Sequence, residues 1–293
     1  MALFGRERVE YKTLEQVRVM RRAGLVVADV LAAVRAAARP GTTTADLDAV
    51  AAAVIADAGA TSNFLGYEGF PATICTSVND EVIHGIPGSR VLAVGDVVSV
   101  DAGAVVDGWH GDSATSFVLG ADGPLAPGAA GGAAGGDPAD DALVRATEAA
   151  MWAGIAALAT GQRLGDVGTA VETAVELAGA AGGAELGIVE EYVGHGIGTA
   201  MHQPPDVLNY RTSDRGMRLR PGMCLCVEPM MTRGSGATRE LEDGWTVVTT
   251  DGSRAAHWEH SVAILEGGIS VLTARDGGAE RLGALGVDVV VLD

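Results

Sequence analysis

Val97-Val-Ser-Val-Asp101-Ala-Gly103-Ala-Val-Val106-Asp107-Gly108-Trp109-His-Gly-Asp112-Ser-Ala114-Thr-Ser-Phe-Val-Leu119 is the stretch whose reading decides the architecture. Two strand-like runs, Val97–Val106 and Trp109–Leu119, flank Asp107-Gly108, a strong signal for a two-residue hairpin turn. Such a turn pairs residues whose numbers sum to 215, so Asp112 falls opposite Gly103 and Asp101 opposite Ala114. Side chains alternate between faces, which puts Asp101, Gly103 and Asp112 on one face. Two bare carboxylates buried together repel and are costly to desolvate. A shared divalent cation removes both problems; a solvent-facing hairpin with ordinary acids is the alternative for this pair taken alone.

The hairpin recurs in outline further along. Gly95-Asp-Val-Val-Ser-Val-Asp101 resembles Gly222-Met-Cys-Leu-Cys-Val-Glu228, and Asp107-Gly108-Trp109 resembles Asp243-Gly244-Trp245. Upstream, Gly41-Thr-Thr-Thr-Ala-Asp46-Leu47 resembles Gly161-Gln-Arg-Leu-Gly-Asp166-Val167, and Ala58-Gly59-Ala60 matches Ala178-Gly179-Ala180. The matches keep their order, so each half reads helix, helix, strand with acid, hairpin. Periodic apolar positions predict helices over residues 13–38, from an N-cap at Thr44 to about Ala58, from about Asp141 to Ala159, and from Gly165 to Ala180. Strands are expected near Gly187–Val193, Met223–Glu228, Trp245–Thr250, His257–Leu265 and Ile269–Leu272. The Gly/Ala/Pro tract 121–140 reads as a mobile loop with little regular structure. The halves span about 13–120 and 141–272 within one domain, 1–293; a duplicated unit would bring Asp101 and Glu228 to equivalent places beside a pseudo-twofold axis, with chance matching in an Ala/Gly-rich chain as the alternative.

The second half adds donors. His195 lies between glycines in Gly194-His-Gly-Ile-Gly198; Glu228 ends an apolar strand; Glu259 lies in Ala255-Ala-His-Trp-Glu-His-Ser-Val262. Asp101, Asp112, His195, Glu228 and Glu259 together form an oxygen-rich set with one imidazole, enough for two divalent ions with bridging carboxylates. Mn, Fe, Co or Zn suits this set better than a thiolate-selected site. Cys226 shares a face with Glu228 and is expected near this site, open to oxidation or alkylation. Cys224-x-Cys226 lacks the further thiols of a zinc site. His110 shares a face with Asp112 and reads as a neighbour of the site or its rim; His257 and His260 flank Glu259, with His257 on its face and His260 on the other.

These residues resemble type I methionine aminopeptidases. The resemblance runs from about Glu10 to Leu272 through Tyr67-Glu-Gly-Phe-Pro71, Thr76-Ser-Val-Asn79 leading to His84-Gly-Ile-Pro87, Val100-Asp101, Asp107-Gly-Trp-His-Gly-Asp112, Gly194-His-Gly-Ile-Gly198 with His202, Val227-Glu-Pro-Met230 and Trp258-Glu259-His260. It implies the pita-bread fold, an α/β (α+β) architecture of two pseudo-twofold-related helix-helix-β units. These form a curved, mainly antiparallel sheet with helices on its outer face. It implies that Asp101, Asp112, His195, Glu228 and Glu259 bind two divalent ions, with Asp112 and Glu259 bridging. By the same resemblance His84 and His202 would contact substrate, Glu228 would shuttle the proton, and Tyr67, Phe70, Cys75, Met201 and Trp245 would shape a methionine pocket, where aromatic and sulfur contacts suit a thioether. The sequence departs from the usual pattern at Phe70, Met201, Gln203 and Cys226 and in the long 121–140 tract; none of these is a ligand position.

The implied activity is removal of the initiator methionine from nascent chains with a small second residue. Proline-specific aminopeptidases or dipeptidases share the fold and metal set but usually carry an N-terminal domain. Type II methionine aminopeptidases carry a long insert where His195 and Glu228 are only 33 positions apart. A non-catalytic binder of this fold generally loses ligands. Twenty Lys and Arg against 38 Asp and Glu give a charge of −18, which argues against direct nucleic-acid binding while leaving docking at a ribosomal protein open. No apolar run of about eighteen residues suggests a membrane span. Met1–Arg6 leads into charge, unlike a secretory signal. Three cysteines make no disulfide framework. A monomer in the cytoplasm is expected.

Overall fold

The computed structural model describes residues 9–182 and 186–292; the Met1–Arg6 stretch lies outside them. The first helix, α1 (Leu14–Ala37), starts at a capping box between Thr13 and Gln16 and buries Val17, Met20, Val27, Val30 and Val34. Helix α2 (Thr44–Asp57) is capped by Thr43 and not by Thr44. The Thr43 hydroxyl accepts from the Asp46 amide, whereas the Thr44 hydroxyl is turned inward and donates to the Gly88 carbonyl.

Both helices cover a sheet built on the hairpin. Val97–Val106 and Trp109–Gly120 pair with Gly103 opposite Asp112 and Asp101 opposite Ala114, the register that the turn arithmetic requires. Asp107 and Gly108 take the positive φ angles (50° and 78°) that such a turn demands. Ile74–Val78 pairs along the other edge of Val97–Val106 and sets Cys75 opposite Asp101.

The second half repeats the plan. Helices α3 (Pro138–Thr160) and α4 (Gly165–Gly182) pack on each other and on an antiparallel sheet. In that sheet Cys224–Val227 lies between His260–Leu265 and Gly194–Gly196. Each half has its own core, one around Val27, Leu47, Ile74 and Phe117, the other around Met151, Ile155, Val167, Leu225 and Val262. Helix α3 is long and apolar enough to cross a membrane by length and composition, although no continuous apolar run suggested it. More than half of that stretch is buried, against α4 and the second sheet.

Further expectations change. Helix α3 begins at Pro138, ahead of Asp141, because the Asp137 carboxylate accepts from the Ala139 amide and Pro138 fits a first turn that needs no donor. The tract before it carries regular structure: Gly123–Pro124 pairs with Leu119–Gly120 and Gly132–Ala134 forms a 3-10 turn. The Leu125 carbonyl accepts from Arg35, and the Gly128 amide donates to Asp141. The strand expected over His257–Leu265 is two strands, Ala255–His257 and His260–Leu265, on different partners. The break falls at Trp258-Glu259 because there the Glu259 backbone turns to the first half, exchanging hydrogen bonds with Ala114 (3.0 and 3.3 Å). The remaining strands are short: Gly187–Ile188 stands where Gly187–Val193 was expected, and Val247–Thr249 for Trp245–Thr250.

Candidate active site

The seam between the halves sets the site. Beside the Ala114–Glu259 bridge, the Ser261 hydroxyl donates to the Asp112 carbonyl (2.7 Å) and accepts from its amide (3.1 Å). Ser116 makes the equivalent pair of contacts with the His257 backbone. Asp112 and Glu259 are thereby drawn to one place from opposite halves, and a cavity of about 220 Å³ opens above them.

Its floor is acidic. Ligand atoms of Asp101, Asp112 and Glu259 lie within 4.8 Å of one another. Glu228, one residue past the strand Cys224–Val227, has Oε1 3.3 Å from His195 Nε2 and Oε2 3.6 Å from His257 Nε2. Asp101 Oδ1, Asp112 Oδ1, Glu259 Oε1 and His257 Nε2 are buried without a hydrogen-bond partner. Burial pushes the Asp101 carboxyl up to about 6, although His257 opposes it. Burial, and then the neighbouring carboxylates, push Asp112, Glu228 and Glu259 well above the usual range. His195 is driven down to about 3, first by burial and then by His202, so its imidazole is neutral. Unpartnered carboxylate oxygens in a buried site are costly unless something positive completes them. Four carboxylates and a neutral imidazole are the donor chemistry of a borderline divalent ion.

Cys226 lies beside His195 and Glu259, as its position suggested. The expectation that it is open to alkylation does not hold. It is wholly buried, and burial aided by Glu259, Asp112 and Glu228 pushes its thiol well up, away from the reactive thiolate.

The walls are apolar. Phe70 stands edge-on to Trp245 (ring centroids 5.1 Å) and Phe64 (6.5 Å), with Cys75 and Met201 completing the enclosure. Toward solvent, the Tyr67 hydroxyl lies 2.9 Å from His202 Nδ1, and the His202 ring meets His195 edge-on at 4.4 Å. His84 packs against Trp245 and Tyr192; burial brings it down to about 4 and lowers His202 as well, which leaves both neutral at pH 7.

All twelve residues expected to bind metal or substrate therefore line one cavity: the four acids and the histidine of the floor, the five wall residues including Tyr67, and the two further histidines. Phe64, Glu68, Ile83 and His257 line it too. Alternation had put His257 on the face of Glu259, but nothing in the sequence gave it a place at the floor. His260 sits on the opposite face, with Nδ1 2.8 Å from Thr273 Oγ1 and its ring against Trp152. His110 lies outside the cavity lining.

The profile of metallopeptidase family M24 matches residues 18–266. The chain belongs to metallopeptidase family M24. Within M24 it is similar to methionine aminopeptidase 1 of Mycobacterium tuberculosis, 48% identical over 272 residues that cover 92% of this chain and 97% of the relative. It is 40% identical to methionine aminopeptidase 1 of Bacillus subtilis over 262 residues, 89% of this chain and 98% of that one. The methionine aminopeptidase structure from Thermotoga maritima superposes with a TM-score of 0.82 at 36% identity, covering 92% of this chain and all of that one. A prolidase from Pyrococcus furiosus shares the M24 fold (TM-score 0.65) at 15% identity, over 90% of this chain and 65% of its own length. These likenesses are to type I methionine aminopeptidases and to the pita-bread fold.

Proposed function

We propose that this chain removes the N-terminal methionine from peptides and nascent proteins whose second residue is small. The observation that carries this reading is the junction of two environments in one cavity: aromatic and sulfur-bearing walls around about 220 Å³, and an acidic floor with unpartnered oxygens. The walls, Tyr67, Phe70, Cys75, Met201 and Trp245, suit an unbranched thioether side chain. Asp101, Asp112, His195, Glu228 and Glu259 would hold two divalent ions of the Mn, Fe, Co or Zn class, with Asp112 and Glu259 shared between them. When bound, such ions supply Lewis acidity toward the scissile carbonyl.

This chain's own residues supply the rest. Glu228 takes the proton from the attacking water and passes it to the leaving amine; its position between His195 and His257 keeps the carboxylate aimed across the floor. His202, neutral and hydrogen-bonded to Tyr67, presents its other ring nitrogen to the oxygen that gains charge. His84 contacts the substrate from the opposite wall. The walls seat the methionine side chain and exclude water from the floor. In this reading residues 1–293 act as one catalytic domain, as a cytoplasmic monomer able to dock at the ribosome.

Reconstitution with each divalent metal followed by assay on Met-Ala-Ser, Met-Lys-Ser and Ala-Pro-Ala tests the proposal. Cleavage of Met-Ala-Ser far above the other two is expected. Cleavage of Ala-Pro-Ala alone would transfer the chain to the proline-specific enzymes.

A further inference from the structure

Of the residues that line the cavity, Glu68 and His202 are the exposed ones, and they mark its mouth. Glu68 occupies the middle of the 3-10 turn Tyr67–Gly69 with φ 46°, a left-handed conformation that a residue with a Cβ seldom adopts. The turn is fastened on both sides: the Tyr67 hydroxyl to His202, the Tyr67 amide to the Phe64 carbonyl and the Phe70 amide to the Tyr67 carbonyl. A backbone held this firmly fixes where the Glu68 Cα–Cβ bond leaves the chain, so the carboxylate stays tethered at the mouth. Among the described residues the Glu68 carboxylate pairs with no Lys or Arg. Its charge is felt across the mouth, raising the Tyr67 hydroxyl after burial has done so and opposing the burial that lowers His202. On the far side, Tyr192 stands edge-on to His84 at 5.8 Å, and Glu240 and Glu191 add their negative charge there.

We propose that Glu68 is a specificity-determining residue that favours peptides with Lys or Arg at their third and fourth positions over peptides with Asp or Glu there. The proposal rests on the aminopeptidase reading above. An N-terminal residue seated on the floor sends the remainder of its peptide out through the mouth, past an unpaired carboxylate on a rigid turn. The Coulomb interaction of an exposed charge at several ångströms is small but not negligible, and salt screens it.

The test measures kcat/KM of the metal-loaded protein for Met-Ala-Lys-Lys-Ser, Met-Ala-Ser-Ser-Ser and Met-Ala-Glu-Glu-Ser. Glu68→Gln and Glu68→Lys are compared with the unsubstituted chain; both keep a Cβ and so keep the backbone strain. The basic-to-acidic ratio is expected at about tenfold in low salt and about twofold at ~0.5 M salt. It should fall to about twofold in Glu68→Gln and below one in Glu68→Lys. The same peptides, labelled at the C-terminus, give the ratio of affinities by fluorescence anisotropy independently of turnover. A ratio near one in the unsubstituted protein, or an unchanged ratio in Glu68→Lys, overturns the proposal. If none of the three peptides is cleaved, the aminopeptidase reading fails, and the anisotropy ratio decides the role of Glu68 by itself.

Discussion

Asp101 and Asp112 reach the cavity floor from one hairpin, whereas Glu228 and Glu259 reach it from places where strands stop. The first pair is set by a local rule: a two-residue turn fixes the register, and alternation fixes the face. The second pair is set by tertiary contact. Glu228 lies just past the strand Cys224–Val227, and Glu259 lies in a break held by backbone hydrogen bonds to Ala114 of the other half. A functional group on a regular element is placed by its own sequence; one at an interruption is placed by whatever makes the interruption.

If both pairs serve one centre, their different origins should not matter to activity. Asp112→Asn and Glu259→Ala are each expected to lose divalent-ion binding and to lower kcat/KM by more than about a thousandfold. Elemental analysis beside steady-state kinetics on a Met-Ala peptide checks this; metal retained in either variant would split the floor into unequal halves. The next effect belongs to the histidines. His202→Ala should keep its metal and a similar KM while kcat falls by roughly two to three orders of magnitude, the scale of one lost oxyanion donor. His195→Ala should lose metal and recover partly in excess ion. Equal metal loss in both variants would erase the distinction drawn between them.

The seam can be weakened without touching the floor. Ser261→Ala leaves the buried Asp112 amide and carbonyl without their side-chain partner, at about 2 kcal/mol. Urea unfolding should show this loss, with a smaller effect on metal affinity than any floor substitution. Smaller still is the expected effect of deleting residues 129–135, which spares Leu125, Gly128 and the Asp137 cap. Loop-closure free energy changes slowly with length, so stability should move by less than about 1 kcal/mol and activity hardly at all. A larger loss would mean that the tract does more than connect.

Much of this was legible in the sequence for physical reasons. The hairpin register, the two helix pairs and the shared face of Asp101 and Asp112 follow from turn chemistry and periodicity; His195, Glu228 and Glu259 stood out by residue type in apolar or glycine-rich surroundings and by the family resemblance. The start of α3 was missed because Asp137-Pro138 is itself Gly/Ala/Pro-tract composition, and its role appears only once its carboxylate caps a helix. Thr43 and Thr44 are interchangeable as letters; the choice between them is made by the Gly88 carbonyl, which is remote in sequence. The single strand expected over His257–Leu265 was a continuous pattern cut by a partner from the other half. His257 and Glu68 went unassigned because their place in the cavity depends on that break and on a left-handed turn, neither of which leaves a periodic trace.

The central claim is that the buried floor is built to be completed by divalent ions, and calorimetric titration of the metal-free protein tests it most directly. Without ions, the floor carboxyls hold protons at higher pH than exposed ones do. Asp101 titrates near 6 in the folded chain against about 4 when unfolded. Its raised value stabilises the metal-free fold below about pH 4, and that contribution is lost as pH rises through about 6. Ion binding near neutral pH must therefore expel protons, and the observed enthalpy should change with the ionisation enthalpy of the buffer. The account predicts binding of two ions with net proton release, absent in Asp112→Asn. Binding with no proton release, or no binding of Mn, Fe, Co or Zn at all, would contradict it.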